Sequence, residues 1–81
     1  MNTYKYKFPV VCPEDGELIV YDLTIETVKK IMVEHIKTSC LMIKEKHHED
    51  IADILKLQLA GKHTITGAHQ GILITTVRGE I

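Results

Sequence analysis

The sequence predicts an α+β domain of element order β-β-α-α-β-β: a four-stranded antiparallel sheet with two helices packed on one face. Three observations carry that prediction. Apolar residues alternate with period two near both ends of the chain, and they recur every three or four residues in the middle. Each alternating region is interrupted once by turn-forming residues. Strands that flank helices, rather than alternating with them, argue for an antiparallel sheet. At 81 residues the chain has room for a single domain, 1–81.

The first strand runs from Tyr4 to Val10. Tyr4, Tyr6, Phe8 and Val10 share one face, and Lys5 and Lys7 occupy the other. Aromatic and β-branched residues at this spacing suit a half-buried strand. Pro9 has no N–H to give a ladder, which suits an edge strand. "CPEDGE" then brings Pro, Asp and Gly together as a turn. Ile19, Tyr21, Leu23 and Ile25 form one face of a second strand, which closes a hairpin.

Two helices follow. Val28, Ile31 or Met32, Ile36, Cys40 and Ile43 have amphipathic spacing. The start is open between two positions: Thr27 as a cap, or Val33 after a strand that runs on through Ile31. "KEKHHED" interrupts the apolar pattern as a polar connection. Glu49, Asp50 and Asp53 then place negative charge at the positive end of a second helix dipole. Ile51, Ile54, Leu55 and Leu59 are its buried stripe, and Gly61 stops it. Beyond Gly61, His63, Ile65 and Gly67 alternate with Thr64, Thr66 and Ala68. Ile72, Ile74 and Thr76 alternate with Leu73, Thr75 and Val77, so a second hairpin turns near "GAHQG".

Composition excludes several classes. Ten Lys plus Arg stand against eleven Asp plus Glu, a formal charge of −1. That balance offers no footprint for a nucleic-acid backbone, and no nucleic-acid partner is expected. Nor is a membrane partner: no apolar run approaches the roughly 18 residues a spanning helix needs. The N-terminal stretch lacks the apolar segment of a signal peptide. Cys12 and Cys40 form no C-x-x-C pair. A cytoplasmic protein with reduced thiols is the expectation. So small a chain buries a modest share of its surface, which favours a homo-oligomer.

The element order, together with "GAHQ" from Gly67 to Gln70 and the Cys-Pro of "CPEDGE", resembles the tunnelling fold. That fold is shared by GTP cyclohydrolases, pyruvoyl-tetrahydropterin synthases, dihydroneopterin aldolases and urate oxidase. "GAHQ" is similar to a "GAHNQ" segment of one cyclohydrolase type, and "CPEDGE" to Cys-Pro segments of related reductases. The resemblance implies units that associate into a barrel. It also implies purine or pterin ligands held between subunits, often by a Glu or Gln. The cyclohydrolase zinc ligands have no counterpart, because nothing like C-x-x-H occurs.

The candidate site residues are few. His69 sits near a turn that can present its imidazole to a cleft, where such a group shuttles protons near neutral pH. His47, His48, Glu49 and Asp50 are four successive polar groups at a helix start, and they point in different directions. One or two of them can join His69, and they cannot close on one metal. His48 is the second acid–base candidate. Glu49 is the candidate ligand anchor, since a carboxylate can accept two N–H donors from a purine or pterin edge. His35 reads as a boundary residue, Cys40 as core, and Cys12 as a thiol in an exposed turn. No metal set is expected, and the residues leave the cofactor open. The leading expectation is a pterin- or purine-type heterocycle bound with acid–base assistance from a histidine. The alternative is a non-catalytic module that binds another protein or its own copies.

Overall fold

A computed structural model describes residues 1–81. Its elements are β1 (Asn2–Val11), β2 (Leu18–Thr27), α1 (Val33–Leu41), α2 (His48–Gln58), β3 (Lys62–His69) and β4 (Ile72–Arg78). The four strands form one antiparallel sheet in the order β1-β2-β3-β4. The α+β architecture expected from the sequence is the one observed.

The period-two faces are realised as read. Phe8 and Val10 from β1, and Ile19, Tyr21, Leu23 and Ile25 from β2, are buried under the helices. Ile36 and Cys40 of α1 and Ile51, Ala52 and Leu55 of α2 close the core from above. Burial alone pushes the Cys40 thiol up to about 12, so it is a packing residue. Pro9 lies on an edge strand, paired only with Val20.

The first helix begins at Val33, and β2 ends at Thr27 rather than continuing through Ile31. Thr27 caps no helix. Its hydroxyl accepts from the Lys29 amide at 3.0 Å and turns the chain out of the sheet. Val28 is therefore exposed, outside the stripe its spacing suggested. α2 ends at Gln58, where Leu59 turns extended, so Gly61 is not its stop as expected. Gly61 instead turns the chain from the helix into β3, with φ +93. Its missing Cβ matters twice, because the Glu26 carbonyl would lie 2.7 Å from it.

Two turns and one helix start meet at the same end of this sheet. Antiparallel pairing puts the β1–β2 turn beside the β3–β4 turn, and the isolated bridge between Val11 and Glu45 brings the α1–α2 connection alongside. Residues far apart in the chain thus converge there.

Candidate functional site

Tyr21, His48 and His69 form one cluster at that end. Tyr21 is on the core face of β2, His48 is the first residue of α2, and His69 is the last of β3. The Tyr21 hydroxyl and His69 Nε2 are hydrogen bonded at 2.9 Å, the imidazole tautomer deciding which donates. Ring centroids lie 5.3 Å apart for Tyr21 and His48, 5.9 Å for Tyr21 and His69, and 5.6 Å for the two histidines. Edge-to-face aromatic contacts of this kind hold rings in fixed orientation.

His48 is the unusual member. It is 5% exposed, yet neither ring nitrogen makes a hydrogen bond. Buried polar atoms are nearly always paired, so two unpaired nitrogens on one ring mark an unsatisfied position. Burial first, and then the neighbouring charge of His69, hold its imidazole below the usual value. Glu49 opposes that shift, and the Ile65 carbonyl opposes it weakly without closing a bond. A buried His48 is consequently kept neutral, with one acceptor and one N–H that are both unpaired and shielded from solvent.

Tyr21 is fully buried, and desolvation is the main reason its phenol is pushed up to about 12. Cys12 and Glu17 add to that shift, which places both near the hydroxyl. The phenol therefore stays protonated at neutral pH. Cys12 is buried, not exposed as its turn position suggested, because its carbonyl and amide close the turn with Gly16 and Glu17.

The two turns are laced around the cluster. Gln70 and Gly71 both have positive φ, 50 and 82, as a two-residue hairpin turn requires. The Gln70 amide donates to Glu17 at 3.2 Å, and its side chain donates to Asp15 at 3.1 Å. Asp15 is held below the usual carboxylate range, first by the Glu17 amide and then by Gln70. On the helix side, His47 Nε2 lies 3.0 Å from Glu14. Glu49 stands at the rim with one oxygen bound by Arg78, which also reaches Asp53 at 3.0 Å.

Of the residues singled out from sequence, His48 and His69 are brought together, and Glu49 adjoins them through its field on His48. His35 lies elsewhere, its Nε2–H donating to the Gln58 carbonyl at 3.1 Å. Sequence reasoning passed over Tyr21, Gln70, Asp15 and Glu17. The available signal was Gly67, two residues before His69 on the same face, because a glycine inside a strand often marks a close approach. Here the approaching group is the Tyr21 ring. No group of three or more His, Cys, Asp or Glu has the arrangement to hold a metal ion.

The one cavity does not coincide with the cluster. It is a groove of about 340 Å³ between β1 and α1, lined by Tyr4, Tyr6, Val33 and Ile36 with Lys5 and Lys37. It holds no buried titratable group, so the cluster is the better candidate for chemistry. No cavity opens onto the cluster: Tyr21 and His48 are buried, and half-buried His69 is the member through which this wall of rings reaches the surface.

The sheet order and the paired helices define a β-β-α-α-β-β unit. The crystal structure of the archaeosine synthase QueF-Like in its apo form is similar to this chain, with a TM-score of 0.78 and 20% identity over 98% of this chain and 91% of that one. At that identity the likeness shows a shared fold, and the neighbour is not a GTP cyclohydrolase. No protein-family model and no curated protein matches the sequence. No helix is long and apolar enough to cross a membrane.

Proposed function

We propose that this chain binds a planar pterin- or purine-type heterocycle at the Tyr21–His48–His69 wall, with His69 and His48 as its acid–base groups. The observation that carries the reading is His48, buried with both ring nitrogens unpaired beside a hydrogen-bonded His69 and Tyr21. A ring with N–H and carbonyl groups on one edge would supply what His48 lacks. Glu49, with one oxygen on Arg78, keeps its other for a ligand N–H. A solved neighbour named for archaeosine synthesis adds support for a ligand of the modified-base type.

A wall needs a facing surface. A second copy of the chain supplies it in this reading, as the resemblance to barrel-forming units implies. The unpaired edges of β1 and β4 are where copies would join. Sedimentation should then give a mass well above the 9.2 kDa of one chain. A strict monomer at tens of micromolar would remove the facing surface and weigh against this reading. A cytoplasmic location belongs with the same reading, as do the two free thiols.

The binding test is thermal or chemical stability against a panel of pterins and purines. A true ligand at a hundred times its dissociation constant adds about 2.7 kcal/mol. His48→Phe should leave the unliganded fold as stable as before, or up to about 1 kcal/mol more stable, because two unpaired nitrogens are replaced by an apolar ring. The same variant should lose the ligand-dependent gain, and His69→Ala should weaken it. A panel without effect would sink the proposal.

A second reading is supported by the face opposite the helices. The cross-strand pairs Pro9–Val20 and Ala68–Leu73 lie there, and Leu18, Val20 and Leu73 are more than half exposed. Such a face suits a non-catalytic module that binds another protein or its own copies. It gains ground if no heterocycle binds and His69→Ala changes nothing.

A further inference from the structure

The charge around the wall carries a statement about which form of the heterocycle fits, and it rests on the binding reading above. Four carboxylates adjoin the cluster, three of them bound to the residues next to its histidines. Glu17 and Asp15 accept from Gln70, the residue after His69. Glu14 holds His47, the residue before His48. Glu49 acts on His48 from the first turn of α2. The three segments that meet here, 12–17, 44–53 and 69–78, contain seven carboxylates and three permanent cations. Arg78 is occupied by Glu49 and Asp53. Lys44 and Lys46 are exposed on the connection and make no ion pair. A second copy would bring a further formal charge of −1.

The ligand-facing groups have a matching polarity. The outer oxygens of Glu17 and Glu49 are acceptors only, and the neutral His48 offers a single N–H. An amino-substituted ring with adjacent N–H donors meets acceptors there, and charge-assisted bonds to carboxylates are the stronger kind. A phosphate tail on the same ring meets several negative charges within a Debye length. The uncapped N–H groups at the start of α2 and the unpaired Lys44 and Lys46 offset only part of that charge, and no unoccupied Arg stands in the cluster.

We infer that the site takes the phosphate-free form of an N–H-rich heterocycle, the free base or unphosphorylated nucleoside, and rejects its nucleotide. The acidic turn at 12–17 is the selecting element, with Glu17 and Glu14 as its principal charges. Binding of the phosphate-free form holds steady or weakens slightly as salt rises, while any nucleotide binding improves because repulsion is screened.

Pterin, guanosine and GTP, titrated without magnesium against the full chain at low ionic strength and followed by amide NMR shifts, test this. Pterin or guanosine should bind, and GTP should bind at least about tenfold more weakly, the gap narrowing at 0.5 M salt. The double variant Glu14→Gln/Glu17→Gln should narrow the gap several-fold at low salt, and its amide spectrum reports whether it is folded. GTP binding as tightly as guanosine, or more tightly, overturns the selectivity and leaves the heterocycle reading standing. Binding by none of the three overturns both.

Discussion

Gly67→Ala should destabilise the fold by about 2–3 kcal/mol, a large loss for the addition of one methyl group. The backbone at Gly67 is extended, so the cause is not backbone conformation. A Cβ placed there would lie 2.6 Å from Tyr21 Cε1, 2.7 Å from Cδ1 and 3.2 Å from Ile19 Cγ2. The ring has no free direction, because Phe8 stacks on it at 5.9 Å and His48 meets it at 5.3 Å. Either the ring shifts, carrying its hydroxyl off His69, or β3 lifts from the core. Urea denaturation measures the loss, and for a domain of this size it corresponds to a fall in Tm of roughly 10–20 °C. Gly71→Ala is the control: the same methyl at φ +82 meets nothing within 4 Å. Its cost is conformational, about 1 kcal/mol. Equal stability of Gly67→Ala and the parent protein would mean that Tyr21 does not occupy the described position.

The second large effect is loss of stability in mild acid. His48 and His63 are both held below the ordinary imidazole value, in each case chiefly by burial. His63 is fully buried, its Nε2–H donates to the Ala60 carbonyl at 3.1 Å, and its Nδ1 has no partner. Protonating Nδ1 would therefore bury an unpaired charge. The folded state binds these protons less tightly than the unfolded chain does. The associated stability is fully present above the ordinary histidine value of about 6.5, and it is lost as pH falls from there towards the lowered folded values. Each histidine contributes a slope of at most about 1.4 kcal/mol per pH unit in that window. Urea midpoints between pH 4.5 and 8 should be flat above pH 7 and fall below pH 6.5. In His48→Phe the slope should be about half that of the parent. A midpoint independent of pH across the window would show that neither ring is buried uncharged.

Both predictions come from contacts that sequence separation conceals. Period-two alternation placed Tyr21 on the buried face of β2, and there it passed as one more core residue. Its hydroxyl acquires meaning only from His69, 48 positions away. Gly67 fitted the alternation of β3, while the reason for its missing side chain lies on another strand. The histidines were visible as residue types able to titrate near neutrality. That His48, and not His47, turns inward depends on the phase of α2, which periodicity fixes only to within a residue or two. His47 faces out to Glu14 instead. The element order was legible because alternation and helical spacing are local. The start of α1 was not, since Val28 and Ile31 fit the helical stripe while Thr27 turns the chain.

Glu49 shows the same limit. Its place at a helix start was readable, but Arg78, which fixes one of its oxygens, comes from the end of β4. The groups that frame the wall, Asp15, Glu17 and Gln70, looked like turn residues, and locally they are. Antiparallel pairing of β2 with β3 is what sets their two turns against one another. Site chemistry here is a property of sheet register.

The central claim is that the paired imidazoles of His48 and His69 are where a heterocycle binds. Imidazole ¹⁵N NMR of the folded chain during titration with pterin and guanosine addresses it directly. Before ligand is added, His48 should show one protonated and one bare nitrogen at pH 7, and the His69 resonance should respond to Tyr21→Phe. On titration, the His48 and His69 nitrogens should shift together and saturate at one dissociation constant, while those of His35 and His63 stay still. Saturable binding that leaves His48 and His69 unmoved would contradict it.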